Sequence, residues 1–204
     1  MPMTTLRPSV TYEGMSRPDP ASSLGPDALT VRAQRPGERA LVRDVITRSF
    51  GRAVVADLAE ALQDAPAGAG GLSLVAELDG RLVGHVQLCR SWVDAVRQLV
   101  EVLVLSPLSV IPECQRRGIG GRLVGQAVEE AARAGAPMVF LEGSARYYAR
   151  FGFQAARSRG FTAPSVRIPD QAFQVLTLPS YEPWMTGALV YAEQFWAYDC
   201  VGLR

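Results

Sequence analysis

The stretch "PECQRRGIGGRL", Pro112–Leu123, follows one of the most apolar runs of the chain and leads into its clearest helical pattern. Two arginines and three glycines stand within six of its residues, at positions 116–121. A loop that opens a helix presents unpaired backbone N–H groups at the positive end of the helix dipole, and that arrangement binds phosphate. The glycines remove the Cβ atoms that would hold an anion off the backbone. The stretch therefore predicts an anion-binding corner; the alternative is an ordinary tight connection with surface arginines.

The segments on either side of this stretch predict a strand, a helix and a second strand. The run "QLVEVLVLSPLSV", residues 98–110, is almost continuously apolar, as a central strand buried on both faces would be. Pro107 cannot donate to a sheet ladder, so it predicts a bulge or the end of pairing. "PMVFLE", residues 137–142, predicts the next strand and hence a parallel pair joined by a right-handed crossover. The helix between them carries an apolar residue at every fourth position: Ile119, Leu123, Ala127 and Ala131.

The first part of the patterned region predicts a strand and two helices. "ALTVRA", residues 28–33, is a short strand candidate. "GERALVRDVITRSF" then places Leu41, Val45 and Ile46 at helical spacing, with Phe50 one turn further on. A second helix is predicted over Val54–Leu62, before a segment rich in Pro and Gly.

A hairpin is predicted where Asp79 and Gly80 separate two alternating runs, "LSLVAEL" and "RLVGHVQL". With a two-residue type I′ turn, Leu74 would lie opposite His85, and Ala76 opposite Val83. The only histidine would then point toward apolar neighbours, which favours a buried core histidine over a catalytic one.

Length and composition favour one domain without a metal or nucleic-acid surface. The chain has 204 residues and a formal charge of +1, so residues 28–204 are predicted to form a single domain and a broad basic surface is absent. Residues 1–27 are rich in Pro, Ser and Gly and predict a flexible leader. Three dispersed cysteines and one histidine argue against a metal site. No apolar run is long enough for a membrane span or a signal peptide, so a cytoplasmic location with no membrane partner is expected.

Several segments together resemble one enzyme family. "QRRGIG" matches the Q/R-x-x-G-x-G/A signature of the GNAT superfamily of acyl-CoA N-acyltransferases. "LSPLSV", "VFLEGSARYYARFGF", "IPDQAFQVLTL" and "GALVYAEQF" are similar, in this order, to the YhbS-like bacterial branch. The resemblance extends from about Leu29 to Phe195 and combines independent motifs.

This resemblance implies an α/β (α+β) fold and acetyl-CoA as co-substrate. The GNAT fold has a central mixed, mostly antiparallel sheet that splays between its fourth and fifth strands and is flanked by helices. The pantetheine arm lies in the gap, and the glycine corner holds the coenzyme pyrophosphate. The residues expected to contact the coenzyme are Ser109, Val110, Ile111, Gln115, Arg116, Arg117, Gly118, Ile119, Gly120, Gly121, Ser144 and Tyr148.

The resemblance also assigns a catalytic acid, whereas the base stays open. Tyr148, four residues before Gly152, holds the position of the tyrosine that protonates the departing thiolate, and its neighbour Tyr147 is assigned to the acceptor pocket or to packing. Glu101, in the predicted central strand, needs either a wet cleft or a partner. Glu142, at the end of the fifth strand, is an equal candidate for the base. His85 and an ordered water are the remaining ones.

The function implied is N-acetylation of a primary amine on a small molecule or a protein. The alternative is a non-catalytic acyl-CoA-binding regulatory module. Ser144 stands where related chains often carry an acidic residue, so no acceptor preference can be carried over from the family. The aromatic segment "EPWMTGALVYAEQFWAYD" has three interpretations: a pocket wall, a homodimer contact or core packing, which is the default.

Overall fold

The computed structural model describes residues 29–65 and 71–202. The predicted leader, residues 1–27, lies outside them. In the described residues the chain forms one mixed sheet with helices on both faces. The strands are β1 Thr30–Ala33, β2 Leu72–Leu78, β3 Arg81–Ala95, β4 Leu99–Val110, β5 Met138–Glu142, β6 Gln154–Ala155, β7 Phe173–Thr177 and β8 Gly187–Val190. The helices are α1 Arg39–Phe50, α2 Ala53–Gln63, α3 Ile119–Arg133, α4 Ala145–Tyr148 and α5 Glu193–Ala197.

The sheet is mostly antiparallel and splays in its middle. Its order is β1-β2-β3-β4-β5-β7-β6, and β8 pairs with the far end of β3. Only β4 and β5 are parallel, and their ladder consists of the pairs Leu103↔Val139 and Val104↔Phe140. Beyond Val104 the two strands separate. The expected GNAT fold, with its gap between the fourth and fifth strands, is confirmed.

Pro107 lies where β4 leaves the regular ladder. The register between β3 and β4 shifts here, because Val86 pairs with Leu108 whereas Leu88 pairs with Leu105. The peptide bond between Ser106 and Pro107 is cis. The predicted bulge is therefore confirmed, and it directs the last part of β4 away from β5.

Burial on both faces of the sheet explains the apolar character of the central strands. Alternate residues of β5 reach opposite layers: Val139 packs in the cluster that contains α3, and Phe140 in the cluster that contains α2. The four apolar residues predicted for α3 are all buried, which confirms that helix and its inward face.

The hairpin has the predicted turn but a different register. Asp79 and Gly80 both have positive φ, as a type I′ turn requires. A bulge between Ala76 and Glu77 then shifts the pairing by one residue, so that Val75 lies opposite His85, and Leu74 opposite Val86. The predicted pairs of Leu74 and Ala76 were wrong because Val83 is an extra residue of β3. It has no partner in β2, so every pair beyond it is shifted by one residue.

One further sequence expectation needs correction. In α1 Val45 and Ile46 are buried as predicted, but Val42 completes the inward face, whereas Leu41 is 56% and Phe50 44% exposed. The aromatic segment contains β8, and its last part forms α5. Phe195 of this helix packs in the cluster that contains α2, as core packing predicts.

Candidate active site

The corner between β4 and α3, residues 115–121, has the geometry that its glycines predict. A single turn of 3₁₀-helix, Pro112–Cys114, leads from β4 into it, and α3 begins at Ile119. The Arg122 N–H donates to the Gly118 carbonyl in the first hydrogen bond of the helix, so the N–H groups of residues 119–121 have no acceptor within α3. They stand at the positive end of a 15-residue helix.

Two residues of this β4–α3 corner adopt left-handed backbone conformations. Gly118 has φ +82°, and Arg116 has φ +60°. Arg116, Arg117 and Gly118 are exposed and Gly120 and Gly121 are partly exposed, whereas Ile119 is buried in the core. The corner therefore presents main-chain N–H groups and two guanidinium-bearing side chains to solvent, which is the donor set that a diphosphate requires.

Side chains from two elements hold the last part of β4 beside this corner. The Ile111 N–H donates to the Val83 carbonyl of β3. Because main-chain groups of successive residues in an antiparallel ladder point to opposite sides, the N–H and C=O of Val110 point away from β3, toward the gap. The Val110 carbonyl accepts hydrogen bonds from Ser49 Oγ at 2.6 Å and from Gln115 Nε2 at 3.0 Å. Ser49, at the end of α1, was not predicted from the sequence.

This alternation changes the set of main-chain groups that can meet a ligand. Ser109 pairs with His85 and Ile111 with Val83, so both expected contacts are directed at β3 instead. Of the expected main-chain contacts in β4, Val110 still points toward the gap, and by the same alternation the main-chain groups of Leu108 point there too. Leu108 also lines the cavity described next.

A cavity of about 680 Å³ lies where β4 and β5 separate; we call it the β4–β5 cavity. Its sheet side is formed by β4 residues 104–108 and by residues 142–144 after β5. The end of α1 and the start of α2 form a second wall, and α4 contributes Tyr147 and Tyr148. The C-terminal segment, residues 191–202, closes the remaining side. The aromatic segment is thus both core and cavity wall.

The tyrosines of α4 connect the cavity to the β4–α3 corner. Ser144 caps α4, and its Oγ accepts a hydrogen bond from the Tyr147 N–H. A Cβ on Gly120 would lie 2.7 Å from the Tyr147 hydroxyl, so the ring reaches the first turn of α3. Tyr148 covers Gly143, where a Cβ would clash with its ring. Close packing therefore favours glycine at Gly143, whereas at Gly120 only the end of the Tyr147 side chain would have to move.

Burial keeps the Tyr148 hydroxyl protonated. Loss of hydration raises the pKa of Tyr148 above its ordinary value, and the neighbouring Tyr147 adds to the shift. The two rings meet edge to face with centroids 4.8 Å apart, and Phe153 packs against the other side of Tyr148. A neutral phenol held in this way can donate a proton at neutral pH.

Glu142 places a partly buried carboxylate in the same cavity. Its Oε1 accepts a hydrogen bond of 2.8 Å from the Tyr191 hydroxyl, and its Oε2 accepts one of 3.1 Å from the Gly202 N–H. Burial raises the pKa of Glu142, and these two hydrogen bonds together with the charge of Arg167 oppose the shift without cancelling it. Both donors come from the C-terminal segment, which the sequence alone did not connect to Glu142.

Both a protein family and a bacterial relative match the sequence of this chain. The sequence profile of the acetyltransferase (GNAT) family matches residues 40–153. YjhQ of Escherichia coli, described as an uncharacterized N-acetyltransferase, is 38% identical over 131 residues, which cover 64% of this chain and 72% of that protein. The chain belongs to the GNAT family.

Two solved GNAT structures resemble this one over most of its length. YhbS from Escherichia coli, solved in complex with CoA, has a TM-score of 0.74 at 24% identity and is matched over 84% of this chain and 93% of its own, which supports the fold alone. A GNAT family acetyltransferase from Brucella melitensis, solved in complex with acetyl-CoA, has a TM-score of 0.66 at 30% identity, over 82% and 97% of the two chains.

Two candidates for the base lie outside the β4–β5 cavity of this GNAT domain. Glu101 is exposed and forms an ion pair with Arg90 at 2.9 Å, which is the partner that was expected for a carboxylate in a central strand. Glu101 does not line the cavity. His85 is fully buried, its Nε2 lies 2.9 Å from Ser73 Oγ, and burial lowers its pKa to about 3. His85 is a core histidine, as predicted.

The described residues contain neither a metal cluster nor a membrane helix. Within residues 29–65 and 71–202, no three His, Cys, Asp or Glu side chains are grouped to hold a metal ion. None of the helices in these ranges is long and apolar enough to cross a membrane. A cytoplasmic location and a homodimer contact stay predictions.

The backbone geometry of the corner can be tested by stability. Gly118→Ala should lower the free energy of unfolding by about 1–2 kcal/mol, because alanine at φ +82° is strained. Gly125→Ala, in the interior of α3 with nothing within 4 Å of the added Cβ, should instead raise it by about 0.5–1 kcal/mol. Urea unfolding of both variants measures the difference. Equal effects would contradict the left-handed turn.

Proposed function

We propose that this GNAT domain transfers the acetyl group of acetyl-CoA to a primary amine. The observation that carries the proposal is the β4–α3 corner with its outward N–H groups, set beside a cavity that opens where β4 leaves β5. An ordinary tight connection would need no gap in the sheet, and a gap without the corner would hold no diphosphate. Their juxtaposition supports a ligand with a diphosphate at one end and a reactive group at the other.

The residues present fit the coenzyme. Residues 118–121 supply N–H groups for the pyrophosphate, Arg116 and Arg117 supply charge, and Val110 and Leu108 turn their main-chain groups toward the gap for the pantetheine arm. When bound, acetyl-CoA supplies an acetyl thioester. The chain's own residues then have two proton transfers to perform, one at the attacking nitrogen and one at the sulfur.

Glu142 is proposed as the base and Tyr148 as the acid. The Glu142 carboxylate lines the cavity, and its raised pKa brings it closer to the pKa that efficient proton transfer from an ammonium group requires. Tyr148 lines the same cavity, and its hydroxyl is protonated at neutral pH. The base thus comes from the end of β5, and the acid comes from the last position of α4, the next helix along the chain.

Coenzyme binding should stabilise the chain. At a hundredfold excess over its Kd, acetyl-CoA should add about 2.7 kcal/mol to the free energy of unfolding, or about 5–10 °C in Tm for a domain of this size. Arg116→Gln should weaken the effect, whereas Arg159→Gln, an exposed arginine outside the corner, should not. No shift in Tm at millimolar acetyl-CoA would exclude coenzyme binding.

Tyr148→Phe should lower turnover by about tenfold to a hundredfold or more, because the step loses its proton donor. Its Kd for acetyl-CoA should stay within about twofold. The matched control is Tyr181→Phe, since Tyr181 packs on the core away from the cavity. Thiol release and calorimetry measure the two quantities. A Tyr148→Phe rate equal to that of the control would remove Tyr148 from the mechanism, and absence of turnover in every variant would favour a binding module.

The pH dependence should report Glu142. The base must be deprotonated, so kcat/KM should fall as the pH drops through the pKa of Glu142, which lies above its ordinary value. Tyr191→Phe removes a hydrogen bond to the charged carboxylate, so it should raise this pKa further and move the acidic limb to higher pH. Glu142→Gln should abolish the limb together with most activity. If the acidic limb of the kcat/KM profile stays at the same pH in both variants, it reports the titration of a group other than Glu142.

A further inference from the structure

Arg52 places an unpaired positive charge at the β4–β5 cavity. It directly precedes α2, lines the cavity and is exposed to solvent. Within the described residues, no carboxylate lies within 4 Å of its guanidinium group and no hydrogen bond is made to it. Asp199, a further charged residue of the cavity wall, differs because it is ion-paired with Arg167 at 2.6 Å. The Arg52 charge is therefore available to an anionic ligand.

Glu142 carries the opposite charge in this cavity and makes no direct ion pair among the residues that the structure describes. Its two hydrogen-bond donors, the Tyr191 hydroxyl and the Gly202 N–H, are neutral groups. The cation that acts on its carboxylate is Arg167, which is itself ion-paired with Asp199 at 2.6 Å. A ligand ammonium would supply a direct partner for the carboxylate, which is consistent with the proposed role of Glu142 as base.

The wall that continues from Arg52 is apolar. Phe50 ends α1, Val54 and Val55 belong to the first turn of α2, and Phe195 faces them from the C-terminal segment. Phe50 is 44% exposed and packs in none of the described core clusters, so its ring is open to the cavity. A large apolar side chain that does not pack in the core but lines a cavity is a typical ligand contact.

We infer that the acetyl acceptor is an amino acid with an apolar side chain. Its carboxylate binds Arg52, its amino group lies at Glu142, and its side chain packs against Phe50 and the apolar wall. The inference rests on the proposed acetyl transfer. Glu142 takes one proton from the ammonium group, and the amine nitrogen then forms a bond to the acetyl carbon. The C–S bond of the thioester breaks as Tyr148 protonates the sulfur, and the second proton that the nitrogen loses restores the Tyr148 phenol. The products are an N-acetyl amino acid and coenzyme A.

The same charges disfavour polycationic acceptors. A polyamine would bring a second ammonium group close to Arg52, where like charges repel. A monoamine without a carboxylate avoids the repulsion but leaves Arg52 unpaired. The carboxylate is thus the group by which the acceptor classes can be separated.

Matched acceptors test the inference with the full chain and acetyl-CoA. Thiol release should give a kcat/KM at least about tenfold higher for L-phenylalanine than for phenethylamine, which lacks only the carboxylate, because a charge-assisted hydrogen bond to Arg52 is lost. Arg52→Gln should lower kcat/KM for L-phenylalanine by about tenfold and that for phenethylamine by less than twofold. Arg159→Gln, on an exposed turn outside the cavity, should change neither value.

Phe50→Ala supplies an independent readout of the apolar wall. Because Phe50 is partly exposed and outside the core, the variant should keep its unfolding midpoint while the KM for L-phenylalanine and L-leucine rises several-fold. Equal use of phenethylamine, or an equal loss for both acceptors in Arg52→Gln, would overturn the inference. Failure to acetylate phenylalanine, leucine and methionine would overturn it too. Acetylation of putrescine or of a peptide lysine in that assay would leave the acetyltransferase function intact.

Discussion

The separation of β4 from β5 after two paired residues is the constraint on which the site depends. Parallel neighbours normally continue their ladder, since an unpaired buried backbone group costs free energy comparable to a lost hydrogen bond. Here the bulge at Ser106–Pro107 ends the pairing and leaves one edge of β4 without a strand partner. The Val110 carbonyl is satisfied by the side chains of Ser49 and Gln115 instead. An extended ligand can meet the remainder of that edge.

The other parts of the site are arranged around this gap. The chain leaves β4 through one turn of 3₁₀-helix and enters α3 at Gly118, so the helix N-terminus stands at the end of the open edge. The opposite side of the gap ends in Glu142, which the C-terminal segment holds through the Tyr191 hydroxyl and the Gly202 N–H. The β4–α3 corner and the proposed proton acceptor are thus positioned by the two strands that separate.

Local patterns made the corner, α3 and the bulge at Pro107 predictable from the sequence, whereas the splay was implied by the resemblance to the GNAT family. Each of these features depends on residues close together in the chain: the glycines at 118, 120 and 121, the apolar residue at every fourth position of α3, and Pro107. Other features depend on distant contacts. The bulge in β3, where Val83 is the extra residue, leaves no compositional mark, and it changed the predicted partner of Leu74. Tyr191 and Gly202 lie 49 and 60 residues from Glu142, so no sequence spacing connects them. The sequence also does not show which charged residues of the cavity are ion-paired, so Arg52 could not be singled out without the structure.

We propose that coenzyme A binds to the N–H groups of the β4–α3 corner and of the open β4 edge. Titration of the ¹⁵N-labelled full chain with coenzyme A measures this directly through its amide resonances. We expect the largest shifts on Gly118, Gly120 and Gly121, with Leu108 and Val110 next. Saturable shifts confined to other regions, with these five resonances unmoved, would contradict it.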